Sequence, residues 1–334
     1  MRILSASMLA ATVLTLGLAA GVSAFAQQTP AVPQAPQPFS AGQPLGVTTD
    51  GKTTAISSNV KVFGSVVSAE SCVYDAERKV ILTINRGAAQ TEVPNDGYVS
   101  FHNSDGSVHT PRWIGVNRNG LVLNQPFGSD IHAGTLYLAD SDGGTADGAK
   151  RISVLRKFDM KTGAPAGEIV VADSPWFNDI AVAKDGTIYA SQTGSADGAT
   201  PMRIYKVTAD GKASVFAEGA PLSRPNGVAI DKDGNIVVVN VGDAAVLTFS
   251  PEAKLLKTEQ AAQPGSDGLV ILPDGTKYIS SVVQGGVSRI KPGKSAELIA
   301  TGIPAAASMC YDSRLNQLVI PLNQNNALAF VKLK

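Results

Sequence analysis

Short apolar runs recur along the chain, and Asp-Gly, Gly-Gly, Asn-Gly or Pro closes them. Such punctuation predicts strands joined by tight turns, and the folded part carries no convincing helical periodicity. Six segments share one form, in which a distinctive residue precedes a strand, a tight turn and a second strand. They are residues 69–85, 126–142, 177–194, 225–242, 266–282 and 306–322. Aligned on the first strand, they place Glu70, Phe127, Asn178, Asn226, Asp267 and Ala307 at one equivalent position, 40 to 57 residues apart. Two further strands can be traced after each pair, such as residues 202–207 and 213–219. A four-stranded repeat of this length predicts propeller blades. The sixth unit keeps only residues 327–334 after its pair, so it lacks a fourth strand that residues 59–66 can supply. The expected fold is all-β: a six-bladed β-propeller whose N-terminal strand closes the last blade and removes an open sheet edge.

The chain starts differently. Arg2 precedes a mostly apolar stretch from Ile3 to Gly21, and Ala24-Phe25-Ala26 follows as a small-x-small cleavage pattern. Residues 1–26 therefore read as a signal peptide. Residues 27–44 read as a Pro-rich extended tether with nothing to pack, and residues 45–334 as the propeller. No later stretch approaches the ~20 apolar residues that span a bilayer. The expectation is an exported protein, periplasmic or secreted, without membrane insertion once the leader is removed.

Composition narrows the chemistry. The 334 residues carry 28 Lys plus Arg against 28 Asp plus Glu, a balance that argues against nucleic-acid binding. Three His and two Cys are too few for a multi-His zinc cage or a disulfide framework, so a metal would have to be held mainly by oxygen. Equivalent positions in a rotational repeat lie on a circle, and the start of the innermost strand faces the mouth of the central channel. Glu70, Asn178, Asn226 and Asp267 thus converge as a hard-oxygen set with a formal charge of −2. Such a set suits one divalent cation, Ca²⁺ best, with Zn²⁺ and Mn²⁺ as alternatives. Taken singly, each of these residues reads more readily as an ordinary turn former than as a ligand.

Other chemistries find less support. There is no Gly-x-Ser-x-Gly elbow for a serine hydrolase. His102, His109 and His132 read as solvent-facing, and Asp140, Ser141 and Asp142 as turn caps at a strand end. Cys72 lies two residues past its ring position and Cys310 three, so strand alternation predicts opposite faces and two buried free thiols.

Glu70 in the first unit, Phe177-Asn178-Asp179 in the third, Pro225-Asn226-Gly227 in the fourth and Ser266-Asp267-Gly268 in the fifth together resemble the regucalcin/gluconolactonase lactonase family. The resemblance runs over about residues 60 to 334. It implies that Glu70, Asn226 and Asp267 bind the metal, that Asn178 coordinates it loosely or holds substrate, and that Asp267 doubles as the catalytic acid/base. The chain departs from the family twice. Glu70 is followed by Ser71-Cys72 instead of Gly-Pro, and Trp176 stands where the family often has Arg. Phe127, Trp176 and Phe177 then predict a more apolar substrate pocket that lacks the family's guanidinium. The expected activity is metal-dependent hydrolysis of a lactone or similar ester, a small-molecule substrate. The alternative is a non-catalytic, metal-stabilised propeller that binds a ligand or a partner protein.

Overall fold

A computed structural model describes residues 46–49, 52–88, 95–116, 120–144 and 150–334. The signal peptide read at residues 1–26 and the tether at 27–44 lie outside the described residues. Six four-stranded antiparallel sheets form a ring, the six-bladed β-propeller expected from the repeat. The innermost strands are Ala69–Asp75, Ser129–His132, Ile180–Val182, Pro225–Ile230, Ser266–Ile271 and Cys310–Asp312, in blades one to six. Val60–Phe63 pairs antiparallel with Ala327–Lys332 as the outermost strand of blade six, with Leu328 opposite Phe63 and Val331 opposite Val60. The N-terminal strand therefore closes the last blade. A separate two-stranded sheet joins Gly46–Thr49 to Lys52–Ala55.

The core consists of blade interfaces. Among the described residues six buried apolar clusters occur, one between each pair of successive blades. Successive side chains of a strand point to opposite faces, so neighbouring residues serve neighbouring blades. Ile81 packs towards blade six and Leu82 towards blade two. Val237 packs towards blade five and Val238 towards blade three. A sheet buried on both faces needs apolar residues throughout, which explains the unbroken apolar run at residues 236–239. Outermost strands such as Leu255–Gln260 are mostly exposed.

The same two-faced packing overturns the expectation of free thiols. Cys72 and Cys310 form a disulfide, with Cα atoms 5.4 Å apart. Cys72 faces blade six from blade one, and Cys310 faces blade one from blade six. Two neighbouring blades meet through opposite faces, so the difference in strand parity is what brings the sulfurs together.

His102 also departs from its expected exposure. It is fully buried in the third strand of blade one. Its Nδ1 lies 3.0 Å from Thr83 Oγ1 and its Nε2 lies 3.3 Å from Ser65 Oγ. Burial lowers its pKa from 6.5 to about 4, so the ring is neutral in the folded protein at pH 7. Between those values the unfolded chain binds the extra proton. Stability should therefore fall as the pH drops through this window, by about 3 kcal/mol in total from this residue. Comparing denaturant midpoints of the wild type and His102→Gln from pH 7 to pH 4 checks this. The variant should lose less stability than the wild type across that range.

Candidate active site

The six ring residues occupy equivalent places at the start of the innermost strands. In blades two, three and six the backbone shows it directly: Phe127 N donates to Ala139 O, Asn178 N to Ser191 O and Ala307 N to Pro321 O, at 2.8, 2.8 and 2.9 Å. The ring carbonyls are then tied to the preceding blade. Ser71 Oγ donates to Phe127 O at 2.5 Å, Gly128 N to Asn178 O at 2.8 Å and Ser280 Oγ to Ala307 O at 2.9 Å. Ser191 Oγ donates to Asn226 O, and Ser308 N donates to Glu70 O at 3.1 Å. With its carbonyls used in this way, the main chain around the mouth is fixed from blade to blade.

The glycine after the ring residue in blades two, four and five has a packing role. A Cβ on Gly268 would lie 2.6 Å from Met309 N, one on Gly128 would lie 2.5 Å from Asp179 Cα, and one on Gly227 would run into Asp267 O. Asn-Gly and Asp-Gly therefore mark close approach of innermost strands here, not hairpin turns. Two residues before the ring position, Ser68, Arg224, Gly265 and Ala305 all have positive φ, between 48° and 79°. This repeated kink turns the incoming chain into the innermost strand.

Polar residues at the end of the second strand hold that incoming segment. Asn85 Oδ1 accepts from Val67 N at 2.9 Å, and Asn240 Oδ1 accepts from Ser223 N at 3.2 Å. Ser281 Oγ donates to Pro264 O at 2.6 Å. In blade two Asp140 takes the part, accepting from Asn124 N and Gln125 N at 2.9 and 2.7 Å while pairing with Arg156 Nε at 2.5 Å. Asp140 thus fixes the chain before Phe127 instead of capping a turn. Asp142 joins it on the Arg156 guanidinium.

At the mouth, Glu70, Asn226 and Asp267 are buried, while Phe127, Trp176 and Asn178 are half-buried. Asn226 Nδ2 donates to Asp267 Oδ2 at 3.2 Å, which leaves Asn226 Oδ1 and Asp267 Oδ1 buried without a hydrogen-bond partner among the described residues. Burial raises the Asp267 pKa well above its usual value, and the charges of Glu70 and Asp179 raise it further. Glu70 Oε2 accepts from Asn323 Nδ2 at 2.8 Å and lies 3.7 Å from the Arg86 guanidinium. Asn323 Oδ1 is likewise buried and unpartnered. Buried polar atoms without partners are costly, and here several oxygens go unused around repelling carboxylates. This donor set fits a hard divalent cation. Among the described residues no group of three or more His, Cys, Asp or Glu side chains could hold a metal by itself, so amide oxygens would have to contribute.

Sequence reasoning missed four residues here. Asp179 follows Asn178, is buried, and accepts from Val228 N at 3.0 Å across the interface of blades three and four. Burial pushes its pKa up to about 7. Asp130 makes the matching bond to Val182 N at 2.7 Å between blades two and three, and burial raises its pKa to about 6. Both line a cavity of about 230 Å³ between the innermost strands. Asn323 and Arg86 leave the second strands of blades six and one next to Glu70. Phe177 departs from the expected apolar pocket, because it is buried in the cluster between blades two and three. Arg86 also corrects the expectation of a mouth without a guanidinium. Its guanidinium lies 4.4 Å from the centroid of Phe127, and that of Arg151 lies 5.8 Å from the centroid of Trp176. A larger cavity of about 880 Å³, lined by Trp113, Val122, Arg156 and Phe158, lies on blades one and two and includes none of the ring residues.

Comparison with known proteins agrees with the propeller fold. The model of the SMP-30/gluconolactonase/LRE-like region matches residues 69–322. Among solved structures, a gluconolactonase from Xanthomonas campestris is similar at 16% identity and a TM-score of 0.57, covering 92% of this chain and 99% of that one. Virginiamycin B lyase from Staphylococcus aureus is similar at 10% identity and a TM-score of 0.56, covering 82% and 99%. At these identities the structures speak for the fold. No curated protein matches the chain significantly in sequence.

Proposed function

The chain belongs to the SMP-30/gluconolactonase/LRE-like family, and on that footing we propose that it hydrolyses a lactone or similar ester with one divalent cation at the channel mouth. The observation that carries this reading is the pair of buried, unpartnered oxygens, Asn226 Oδ1 and Asp267 Oδ1, beside Glu70. Glu70, Asn226 and Asp267 would hold the cation, with Asn178 as a looser ligand or a substrate contact. When bound, the cation would polarise the substrate carbonyl and make water more acidic. Asp267 accepts a proton from the attacking water as the new C–O bond forms. It returns that proton to the ring oxygen as the old C–O bond breaks. Phe127 and Trp176 present half-buried rings to the rest of the substrate.

We also propose that the protein works outside the cytoplasm, in the periplasm or secreted. The leader pattern at residues 1–26 supports this, and so does the Cys72–Cys310 disulfide, a bond that persists in oxidising compartments.

Melting the purified protein after chelation, and again with Ca²⁺, Mn²⁺ or Zn²⁺ restored, tests the cation. A ligand at 100 times its Kd should add about 2.7 kcal/mol of stability, and lactone hydrolysis should appear only with the ion. A melting point indifferent to every ion removes the cation from the reading. A melting point that responds, with no turnover of any lactone or ester, favours the non-catalytic binding propeller.

A further inference from the structure

Arg86 and Arg151 stand on the side of the mouth formed by blades one and two. Arg86 follows the second strand of blade one, and Arg151 precedes the third strand of blade two. Each guanidinium lies near a half-buried aromatic ring, Phe127 for Arg86 and Trp176 for Arg151. A cation–π contact of this kind holds the guanidinium by the ring and leaves N–H donors for a ligand.

Protein partners do not use up those edges. Arg151 donates to Gln125 Oε1 at 3.0 Å, and its Nε is buried without a partner among the described residues. Arg86 Nε is in the same condition. Its nearest carboxylate, Glu70, lies 3.7 Å away, beyond hydrogen-bond length, and already accepts from Asn323. Asp140, which acts on Arg151 through its charge, is engaged by Arg156 and two backbone amides. Burial, and then the charge of Arg86, lower the Arg151 pKa, so two like charges bear on each other in a partly desolvated place.

We propose that Arg86 and Arg151 together bind an anionic group of the substrate, so that the lactone taken by this site carries a carboxylate apart from its reacting carbonyl. Charge-assisted bonds from a fork of guanidinium donors suit a carboxylate better than a neutral hydroxyl. The carboxylate sits by Phe127 and Trp176 on blades one to three, and the carbonyl reaches Asn226 and Asp267 on blades four and five. This inference rests on the lactonase reading for the reaction but not for the binding.

The test pairs a γ-butyrolactone bearing a carboxymethyl group with its carboxamide. Equilibrium binding is measured by calorimetry and kcat/KM by steady-state assay, at low and high salt, with the metal present. The acid should bind and turn over at least tenfold better than the amide, and the advantage should shrink with salt. In Arg151→Gln and in Arg86→Gln the acid-to-amide ratio should fall towards one, while Arg151→Lys should keep part of it. Equal binding and turnover of acid and amide by the wild type overturns the proposal even if both are hydrolysed. A ratio unchanged in both glutamine variants overturns it as well. If neither lactone is hydrolysed but the acid still binds more tightly through these arginines, the anion pair stands and the lactonase reading falls. Should a variant fail to fold, the wild-type comparison at two salt concentrations decides the matter.

Discussion

Replacing Asp267 by Asn is expected to stabilise the metal-free protein and to cut turnover severely. The carboxyl is buried, and burial and the charges of Glu70 and Asp179 all raise its pKa. A carboxyl whose pKa is raised by folding costs stability at any pH above its unfolded value, so the neutral amide removes that cost at pH 7. Asn is nearly isosteric and can still accept from Asn226 Nδ2. The melting temperature of the chelated variant should therefore exceed that of the chelated wild type. With the ion present the order reverses, because the variant has lost one of the two charges on the ring. Turnover should drop by about 10²- to 10⁴-fold even at saturating metal, the range for removal of a general acid/base. Glu70→Gln serves as the contrast, since it also removes one charge but should recover part of its activity at high metal. Asn178→Ala should leave metal binding less affected and mainly impair use of the substrate. Steady-state kinetics of the three variants across a metal titration separate these roles. Near-normal turnover by Asp267→Asn at saturating metal would make Asp267 a ligand only.

Much of this arrangement was legible in the chain. The blade count and the closing strand followed from two-strand units that repeat with their turns. The contact of Asn226 with Asp267, and the charge of Glu70 acting on Asp267, followed from rotational equivalence. What escaped has four physical causes. Arg86 and Asn323 follow the second strands in blades one and six, and such unlike residues leave no self-similar signal. Gly227 and Gly268 looked like turn glycines because a sequence does not show which backbone will approach a missing Cβ. Trp176 in place of the family's Arg suggested an uncharged pocket, yet the guanidiniums arrive from blades one and two, far away in sequence. His102 looked exposed because its strand-turn-strand setting does not reveal that Val60–Phe63 leads up to Ser65, which the imidazole meets.

The disulfide shows the same limit and supplies the largest expected effect on stability. It links the first and last blades across 238 residues of sequence. The blades it joins are already held by the pairing of Val60–Phe63 with Ala327–Lys332 and by the apolar cluster around Cys72, Ile81, Cys310 and Val319. Cys72→Ala with Cys310→Ala should therefore leave a folded propeller, because strand closure does not depend on the sulfurs. In the unfolded chain the bond forbids separation of the two ends, and closing so long a loop limits the ensemble strongly. Loss of a native disulfide typically costs 2–5 kcal/mol, and the loop length places this one near the upper end. For a domain of this size that corresponds to about 10 °C in melting temperature. Treating the wild type with a reductant should give most of the same drop, and the double variant should then be indifferent to it. The wild type should also yield no thiols when titrated unfolded and unreduced, and two after reduction. A wild type that melts at the same temperature with and without reductant, although thiol titration shows the bond cleaved, would mean that closure of blade six by the N-terminal strand already carries the ring.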